Sequence, residues 1–138
     1  MRSLRRPVLA LTLVLVGAAA QAQSPVSAPD WTQAQTIEVD LTNFAFSPAR
    51  LELKPGEAYR LHFVNKTSGG HDFTAKAFFN DAVIDPEDQA AVKDGMVMLG
   101  GNQSADVRLM APKAGHYEAR CTHLMHATLG MKGEVVVQ

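Results

Sequence analysis

The sequence of 138 residues predicts an all-β fold, either a sandwich of two sheets or a barrel. Short runs in which apolar and polar side chains alternate recur along most of the chain, and a period of two is typical of half-buried strands. Proline and glycine turn signals separate these runs at intervals of about ten residues, a spacing typical of sandwiches and barrels. One segment in the middle breaks the alternation and predicts a short helical insertion.

The first half of the chain contains three of the alternating runs, at residues 36–41, 50–54 and 59–65. Pro55 and Gly56 form a turn signal between the second and third runs. Every second side chain in these runs is apolar and is expected to face the core. The set is Ile37, Val39, Leu41, Leu51, Leu53, Tyr59, Leu61 and Phe63.

The second half has three further strand-like runs, at residues 105–109, 117–121 and 135–137. Ala114-Gly115 marks the turn before the second of them. The same alternation predicts an inward-facing set, which is Ala105, Val107, Leu109, Tyr117, Ala119 and Cys121.

Residues 78–95 interrupt the strand pattern and contain the stretch DPEDQAAVKDG. Asp85 is of a type that caps helix N-termini, and Pro86 would then occupy the favoured first helical position. Gly95 suits the position just after a helix ends. We therefore expect a short helix inserted between strands in this segment.

The N-terminal segment has the pattern of a secretory signal peptide. Three arginines among the first six residues precede an apolar run at residues 8–20, and Ala20-Gln21-Ala22 is a small-x-small cleavage site. We expect cleavage after Ala22 and export to the periplasm. The apolar run is shorter than the roughly 20 residues of a bilayer-spanning helix, which disfavours a retained membrane anchor.

Removal of residues 1–22 leaves a leader and one domain. Residues 23–35 contain two prolines and little apolar periodicity, which predicts a flexible leader, and residues 36–138 have the length of a single domain. Three of the 13 basic residues leave with the signal peptide, so ten remain against 14 acidic residues. This mildly acidic balance, without a basic stripe, argues against nucleic-acid binding.

The single cysteine, Cys121, is unusual because thiols of exported proteins tend to pair. It begins the stretch CTHLMHATLGM, which holds two of the five histidines and two of the six methionines. Thiolate, imidazole and thioether are soft or borderline ligands that favour copper over magnesium or calcium. A blue-copper site takes two histidines, one cysteine and a weakly bound methionine. Cys121, His126 and Met131 are therefore candidate ligands, and His71, after a glycine-rich turn, is the candidate for the second imidazole.

Four stretches together resemble the cupredoxins, a family of blue copper proteins. They are FAFSPARLELKPGEAYRLHFVN, GHDF, GHYEARC and the last histidine followed by GMKGEVVV, and they span most of residues 36–138. The loop Cys-x4-His-x4-Met is similar in spacing to the ligand loops of rusticyanin and auracyanin. The resemblance implies a Greek-key β-sandwich that holds one copper ion, Cu(I) or Cu(II). It also implies that His71, Cys121 and His126 are equatorial ligands and Met131 is the axial ligand.

The resemblance extends to the surroundings of these ligands. Asp72 stands where the family often has a polar residue that fastens the histidine loop to the cysteine loop, and Thr122 is its expected partner. Leu124 and Met125 replace a Pro-Gly pair that is common in relatives with this loop length. We expect this departure to leave an apolar rim around His126.

Two other interpretations of the cysteine remain open. A lone buried cysteine is most often a structural side chain. Zinc is the other alternative, with Cys121, His123, His126 and His71 as ligands, although that set leaves Met131 without a role. With copper in the site, His123 is expected to be exposed beside it.

The resemblance implies electron transfer between redox partners and no enzymatic activity. Four protein ligands leave no position for a substrate, and the chain lacks the His-x-His pairs of copper oxidases. We expect a monomer, without stable membrane insertion, that docks transiently with a redox partner such as a cytochrome or a copper enzyme. The alternative is copper trafficking with a donor or acceptor protein, because His123 and Met125 add soft groups near the site.

Overall fold

The computed structural model describes residues 28–138. The predicted signal peptide and the beginning of the predicted leader lie outside the described residues. In the described part of the leader, Trp31–Gln33 form a 3₁₀ turn that is capped by Asp30, and the first strand begins at Gln35. No helix within residues 28–138 has the length and apolar character needed to cross a bilayer.

Ten strands and one short α-helix make up the described part of the chain. The strands are β1 (Gln35–Thr42), β2 (Ala45–Ser47), β3 (Arg50–Leu53), β4 (Ala58–Asn65), β5 (His71–Thr74), β6 (Val83–Ile84), β7 (Met96–Leu99), β8 (Ser104–Met110), β9 (Gly115–Arg120) and β10 (Lys132–Val137). The helix α1 is Lys76–Asp81, and a second 3₁₀ turn spans Gln89–Ala91.

The strands form two five-stranded sheets around a common core, which confirms the predicted β-sandwich. One sheet has the order β2-β1-β4-β8-β6 and the other has the order β3-β10-β9-β5-β7. The pairs β1–β4 and β3–β10 are parallel, whereas the remaining pairs are antiparallel. The chain passes repeatedly from one sheet to the other, so strands distant in sequence become neighbours.

The core consists mainly of the alternating apolar side chains that the sequence predicts. The buried members of the predicted set are Val39, Leu41, Leu51, Leu53, Tyr59, Leu61, Phe63, Val107, Leu109, Tyr117, Ala119 and Cys121. Ile37 and Ala105 are only partly buried at its margin. Burial of each large apolar side chain stabilises the folded state by about 1.5–3 kcal/mol, so this set determines which face of its strands points inward.

The insertion contains a short helix, as predicted, but the helix begins before the residues that suggested it. Phe78 and Phe79 of α1 are buried in the core, and this packing favours a helix at that position. The expected cap residue Asp85 starts no α-helix. Its carboxylate lies 3.1 Å from the guanidinium of Arg108, and its N–H donates to the Arg108 carbonyl. Strand β8 therefore holds Asp85, and the predicted helical stretch is reduced to the 3₁₀ turn.

Strand β5 connects the core to one end of the sandwich. The ring of Phe73 packs against those of Phe46 and Phe63, with centroids 5.0 Å apart in both cases. Side chains two residues apart share a face of a strand, so the same packing orients His71 at the beginning of β5. The fold thus presents one buried histidine at the sandwich end.

Candidate metal centre

The candidate ligands come from two parts of the chain that meet at this end of the sandwich. His71 is the first residue of β5, and Cys121 directly follows β9. One nitrogen of His71, the sulfur of Cys121 and one nitrogen of His126 all lie within 4.8 Å of one another. The structure therefore brings together three of the four predicted ligands through their donor atoms.

The loop before His71 is fixed by Asn65, a buried polar residue at the end of β4. Its side-chain amide donates to the carbonyl oxygens of Gly69 at 2.7 Å and Gly100 at 2.9 Å. Its carbonyl oxygen accepts from the backbone N–H of Thr67 at 3.0 Å. With both ends of its amide bonded, Asn65 determines where the chain enters β5. No motif in the sequence points to Asn65, and its position at the end of an alternating run is the available signal.

The fourth predicted ligand, Met131, is fully buried and lies just before β10. Its carbonyl oxygen accepts from the N–H of Cys121 at 3.1 Å, and its N–H donates to the carbonyl of His126 at 2.9 Å. The loop that carries the three residues is therefore closed by its own backbone. Gly130 has φ +111°, a conformation that glycine adopts without strain, and this residue turns the chain into Met131.

The spacing of the sulfur and nitrogen atoms suits ligands of one ion. The sulfur of Cys121 lies 3.5 Å from Nδ1 of His126, and the rings of His71 and His126 are 4.9 Å apart between centroids. Metal–sulfur and metal–nitrogen bonds of about 2.3 and 2.0 Å place two tetrahedral ligands about 3.5 Å apart. The observed distance matches this separation.

The state of the donor atoms also fits a metal. Nδ1 of His71 is buried and has no hydrogen-bond partner among the described residues, an arrangement that costs about 1–3 kcal/mol unless something binds the atom. Burial, reinforced by the neighbouring His126, lowers the pKa of His71, so its ring is held neutral with a free lone pair. Burial raises the pKa of the Cys121 thiol, and a bound metal would displace the thiol proton.

Asp72 links the histidine strand to the cysteine loop, as the sequence predicts. Its carboxylate accepts from the hydroxyl of Thr122 at 2.8 Å, from the N–H of Thr122 at 3.0 Å and from the hydroxyl of Thr74 at 2.6 Å. Burial alone would raise the pKa of Asp72, but the hydrogen bonds from Thr74 and Thr122 outweigh it and leave the pKa below its ordinary value. A negative charge therefore lies beside the centre.

His123 is partly exposed beside the centre, on the side of Asp72. Its Nδ1 lies 3.0 Å from a carboxylate oxygen of Asp72 and 3.6 Å from the sulfur of Cys121. Within residues 28–138, the metal-compatible groups are two triplets that share this sulfur, one with His71 and His126 and the other with Asp72 and His123. The four residues of the zinc alternative do not form one such group.

Leu124 and Met125 are exposed, as the predicted apolar rim requires. Together with exposed apolar side chains further along the ligand loop and in the turn that contacts the His126 ring, they form one set. We call it the apolar rim; its exposed members are Phe44, Leu124, Met125 and Leu129. Phe44 meets His126 edge to face, with ring centroids 5.3 Å apart. Phe44 was not among the predicted residues of the site because it lies in the turn between β1 and β2, far from the ligand loop in sequence.

A two-sheet sandwich with a cysteine and two histidines gathered at one end defines the class of cupredoxins, which are copper proteins. The chain belongs to the plastocyanin/azurin family of copper binding proteins, whose sequence profile matches residues 33–138. Copper is therefore the cofactor, and the cluster of Cys121, His71 and His126 fits one type 1 ion.

Solved structures show the same fold. Auracyanin B is 27% identical with a TM-score of 0.55, over 76% of this chain and 89% of that one. The dithionite-reduced auracyanin of the photosynthetic bacterium Roseiflexus castenholzii is 24% identical with a TM-score of 0.56, over 76% and 98%. A multi-copper oxidase of Pseudomonas thermotolerans is 18% identical with a TM-score of 0.62, over 87% of this chain and 33% of the oxidase, a likeness in fold alone. No curated protein sequence matches the chain.

Proposed function

We propose that the chain is a periplasmic one-electron carrier in which His71, Cys121, His126 and Met131 hold a single copper ion. The observation that carries this proposal is the convergence of one buried thiol and two imidazoles within 4.8 Å at the end of the sandwich. The family and the likeness to auracyanin B support a copper electron-transfer protein. Bound copper supplies a reversible one-electron couple between Cu(I) and Cu(II).

The protein's contribution is to hold the ligands in one arrangement. Asn65 fixes the approach to His71, and Asp72 ties that strand to Thr122 next to Cys121. Backbone hydrogen bonds that join Met131 to Cys121 and to His126 close the ligand loop on itself. Ligands fixed in this way rearrange little between two oxidation states, which favours rapid electron exchange.

His126 is the ligand nearest to a partner protein in this proposal. Its ring is partly exposed, shares its loop with three residues of the apolar rim and meets the ring of Phe44 edge to face. An apolar surface of this kind suits the small, transient contacts of redox proteins. We infer that a cytochrome or a copper enzyme with an apolar face docks here and exchanges an electron through the imidazole of His126.

Two parts of the proposal rest on sequence features. The periplasmic location rests on the signal-peptide pattern of residues 1–22. The absence of enzymatic activity rests on the four protein ligands, which leave no open position for a substrate.

Copper trafficking is the second candidate function, because His123 and Met125 are accessible soft groups beside the centre. The two functions differ in what leaves the protein. A carrier is reduced and reoxidised without loss of copper, whereas a trafficking protein transfers the ion to an acceptor.

Copper loading of the mature protein followed by visible spectroscopy tests the main proposal. We expect an intense thiolate-to-copper absorption band that is absent in Cys121→Ser and unchanged in His116→Ala, an exposed histidine on β9 that serves as the matched control. Repeated reduction and reoxidation is expected to leave the copper content at one ion per chain. A loaded wild-type protein without the band would refute the site, and copper release to a weak chelator on each cycle would favour trafficking.

A further inference from the structure

We propose a second metal site, formed by Asp72, Cys121 and His123, that binds a divalent ion of the zinc type and competes with copper for the Cys121 sulfur. The inference goes beyond electron transfer, because it concerns which metal the protein holds. It rests on the second of the two triplets that share this sulfur.

The donor atoms of this outer triplet form a compact triangle. The Cys121 sulfur is 3.6 Å from Nδ1 of His123 and 3.7 Å from Oδ2 of Asp72. Zinc bonds of about 2.0–2.3 Å in tetrahedral geometry place such donors about 3.4–3.6 Å apart. The third side, from Nδ1 to Oδ2, is 3.0 Å, the length of a hydrogen bond. The ring of His123 therefore has to move outward by about 0.4 Å when an ion replaces the proton between them.

The chemistry of the outer triplet differs from that of the copper triplet. It offers one carboxylate oxygen, one nitrogen and one sulfur, all of which bind zinc, and it leaves a fourth position open to water. A carboxylate is a hard ligand that Cu(I) does not favour. The hydroxyls of Thr74 and Thr122 already orient the Asp72 carboxylate, as outer hydrogen bonds do at metal sites.

The electrostatics of Asp72 point to a cation. Its side chain is only 1% exposed, yet within residues 28–138 its sole ionic partner is His123. Charges buried this deeply are usually paired with an opposite charge or coordinate a metal. No lysine or arginine among the described residues reaches this carboxylate, and the hydrogen bonds that stabilise it come from the neutral groups of Thr74 and Thr122. A divalent ion would add a positive charge that these donors do not carry.

Each triplet has two buried members and one partly exposed histidine, which is His123 in the outer triplet and His126 in the copper triplet. The side chain of His123 is 37% exposed, so an ion from solvent can reach it without first passing the buried His71. On binding, the Cys121 thiol releases its proton to solvent and His123 binds through Nδ1 with its proton on Nε2. Exchange of Zn²⁺ for Cu²⁺ at the shared sulfur involves no electron transfer.

Zinc chloride titration of the metal-free mature protein, in competition with a chromophoric chelator, tests the assignment. We expect His123→Ala to weaken zinc binding at least about tenfold, the loss typical when a metal-site contact is removed. His126→Ala should change it less than about threefold, and the control His116→Ala should leave it unchanged. Wild-type protein that binds no zinc, or a loss in His126→Ala equal to that in His123→Ala, would overturn the proposal.

Two further measurements keep the outcome independent of a single variant. Asp72→Asn, which retains the shape of the side chain, is expected to weaken zinc binding in the same direction as His123→Ala. Zinc preloading should slow the appearance of the copper–thiolate band in wild type and have little effect in His123→Ala. If both proteins load copper equally fast after zinc, the competition is refuted while the copper site stands. If neither develops the band without zinc, the proposed function itself fails.

Discussion

The hydroxyl of Thr122 donates a hydrogen bond of 2.8 Å to the carboxylate of Asp72. The backbone N–H of Thr122 donates to the same carboxylate, and its nitrogen lies 3.0 Å from each of the two oxygens. This contact joins the strand that begins at His71 to the loop that begins at Cys121. The two halves of the centre are distant in sequence, and the Asp72–Thr122 link helps to set their spacing. It also places a negative charge 3.7 Å from the sulfur of Cys121.

Asp72→Asn is expected to raise the reduction potential of the copper-loaded protein. The carboxylate stabilises Cu(II) more than Cu(I), so its removal favours the reduced state. We expect a rise of at least about 60 mV, which corresponds to a tenfold shift in a one-electron equilibrium. Redox titration of the thiolate band measures it. Thr122→Val, which removes one hydrogen bond and no charge, is the control and should shift the potential less. A potential that stays the same or falls in Asp72→Asn would contradict the electrostatic argument.

Met131→Leu is expected to raise the reduction potential of the copper-loaded protein while preserving the thiolate band. The buried side chain is replaced by one of similar volume, which lowers the free energy of unfolding by less than about 1.5 kcal/mol. The donors Cys121, His71 and His126 remain, but the thioether that we propose as the axial ligand is lost, and the axial ligand tunes the reduction potential of such sites. Voltammetry measures the reduction potential of this variant and of the control Met98→Leu, in which the replaced methionine is exposed on β7. Equal potentials in both variants would remove Met131 from the ligand set.

Alternation predicted the strands and their inward faces because strand side chains have a period of two, whatever the topology. The position of the helix was not predictable in the same way. The cap-like Asp85 and Pro86 satisfy a local rule, but the pairing of Asp85 with Arg108 and the burial of Phe78 are tertiary effects. These tertiary effects outweigh the local preference for a helix that starts at Asp85, and the helix forms at Lys76–Asp81 instead.

The candidate ligands were predictable because three of them lie on one loop with characteristic spacing, and His71 follows a recognisable glycine-rich turn. The contact of Phe44 with His126 and the pairing of His123 with Asp72 were not predictable. Both depend on the path of the ligand loop, in which Met125 adopts φ +65°, and no periodicity in the sequence determines that path.

Leu124→Glu is expected to slow electron self-exchange between two copies of the copper-loaded protein by at least about tenfold. Leu124 is 88% exposed on the apolar rim, and two like charges brought together at a contact repel each other. NMR line broadening in mixtures of oxidised and reduced protein measures the rate. Val83→Glu is the matched control, because Val83 is 54% exposed but pairs with Met110 at the end of β8 away from the centre. Equal slowing in both variants would indicate an effect of net charge and not of the rim.

Gly133→Ala is expected to destabilise the metal-free protein by about 1–3 kcal/mol. A Cβ at Gly133 would lie 2.5 Å from the carbonyl oxygen of Ala49, so the backbone beside β10 would have to shift. Urea unfolding followed by fluorescence gives the free energy of unfolding. Gly69→Ala is the control, since a Cβ there meets nothing within 4 Å and that variant should stay within about 0.5 kcal/mol of wild type. Similar losses in the two variants would show that the contact with Ala49 is not the cause.

Asp88→Asn is expected to lower stability at neutral pH and to have little effect in acid. The carboxylate of Asp88 accepts from the backbone N–H and from Nε of Arg108, both at 2.8 Å, and the side-chain hydrogen bond from Arg108 is the main reason that the pKa of Asp88 lies below its ordinary value. A carboxylate whose pKa is lowered by folding contributes its full stabilisation above the ordinary aspartate pKa of about 3.9 and loses it as the pH falls through the folded value. We expect the wild type to be more stable than Asp88→Asn by about 1–2 kcal/mol at pH 7, and the difference to shrink at an acidic pH where the carboxylate of the folded protein becomes protonated. Urea unfolding at both pH values measures the difference, with Asp94→Asn, an exposed aspartate near the same turn, as the control. A gap of the same size at both pH values would mean that packing, and not the ionised carboxylate, anchors the insertion to β8.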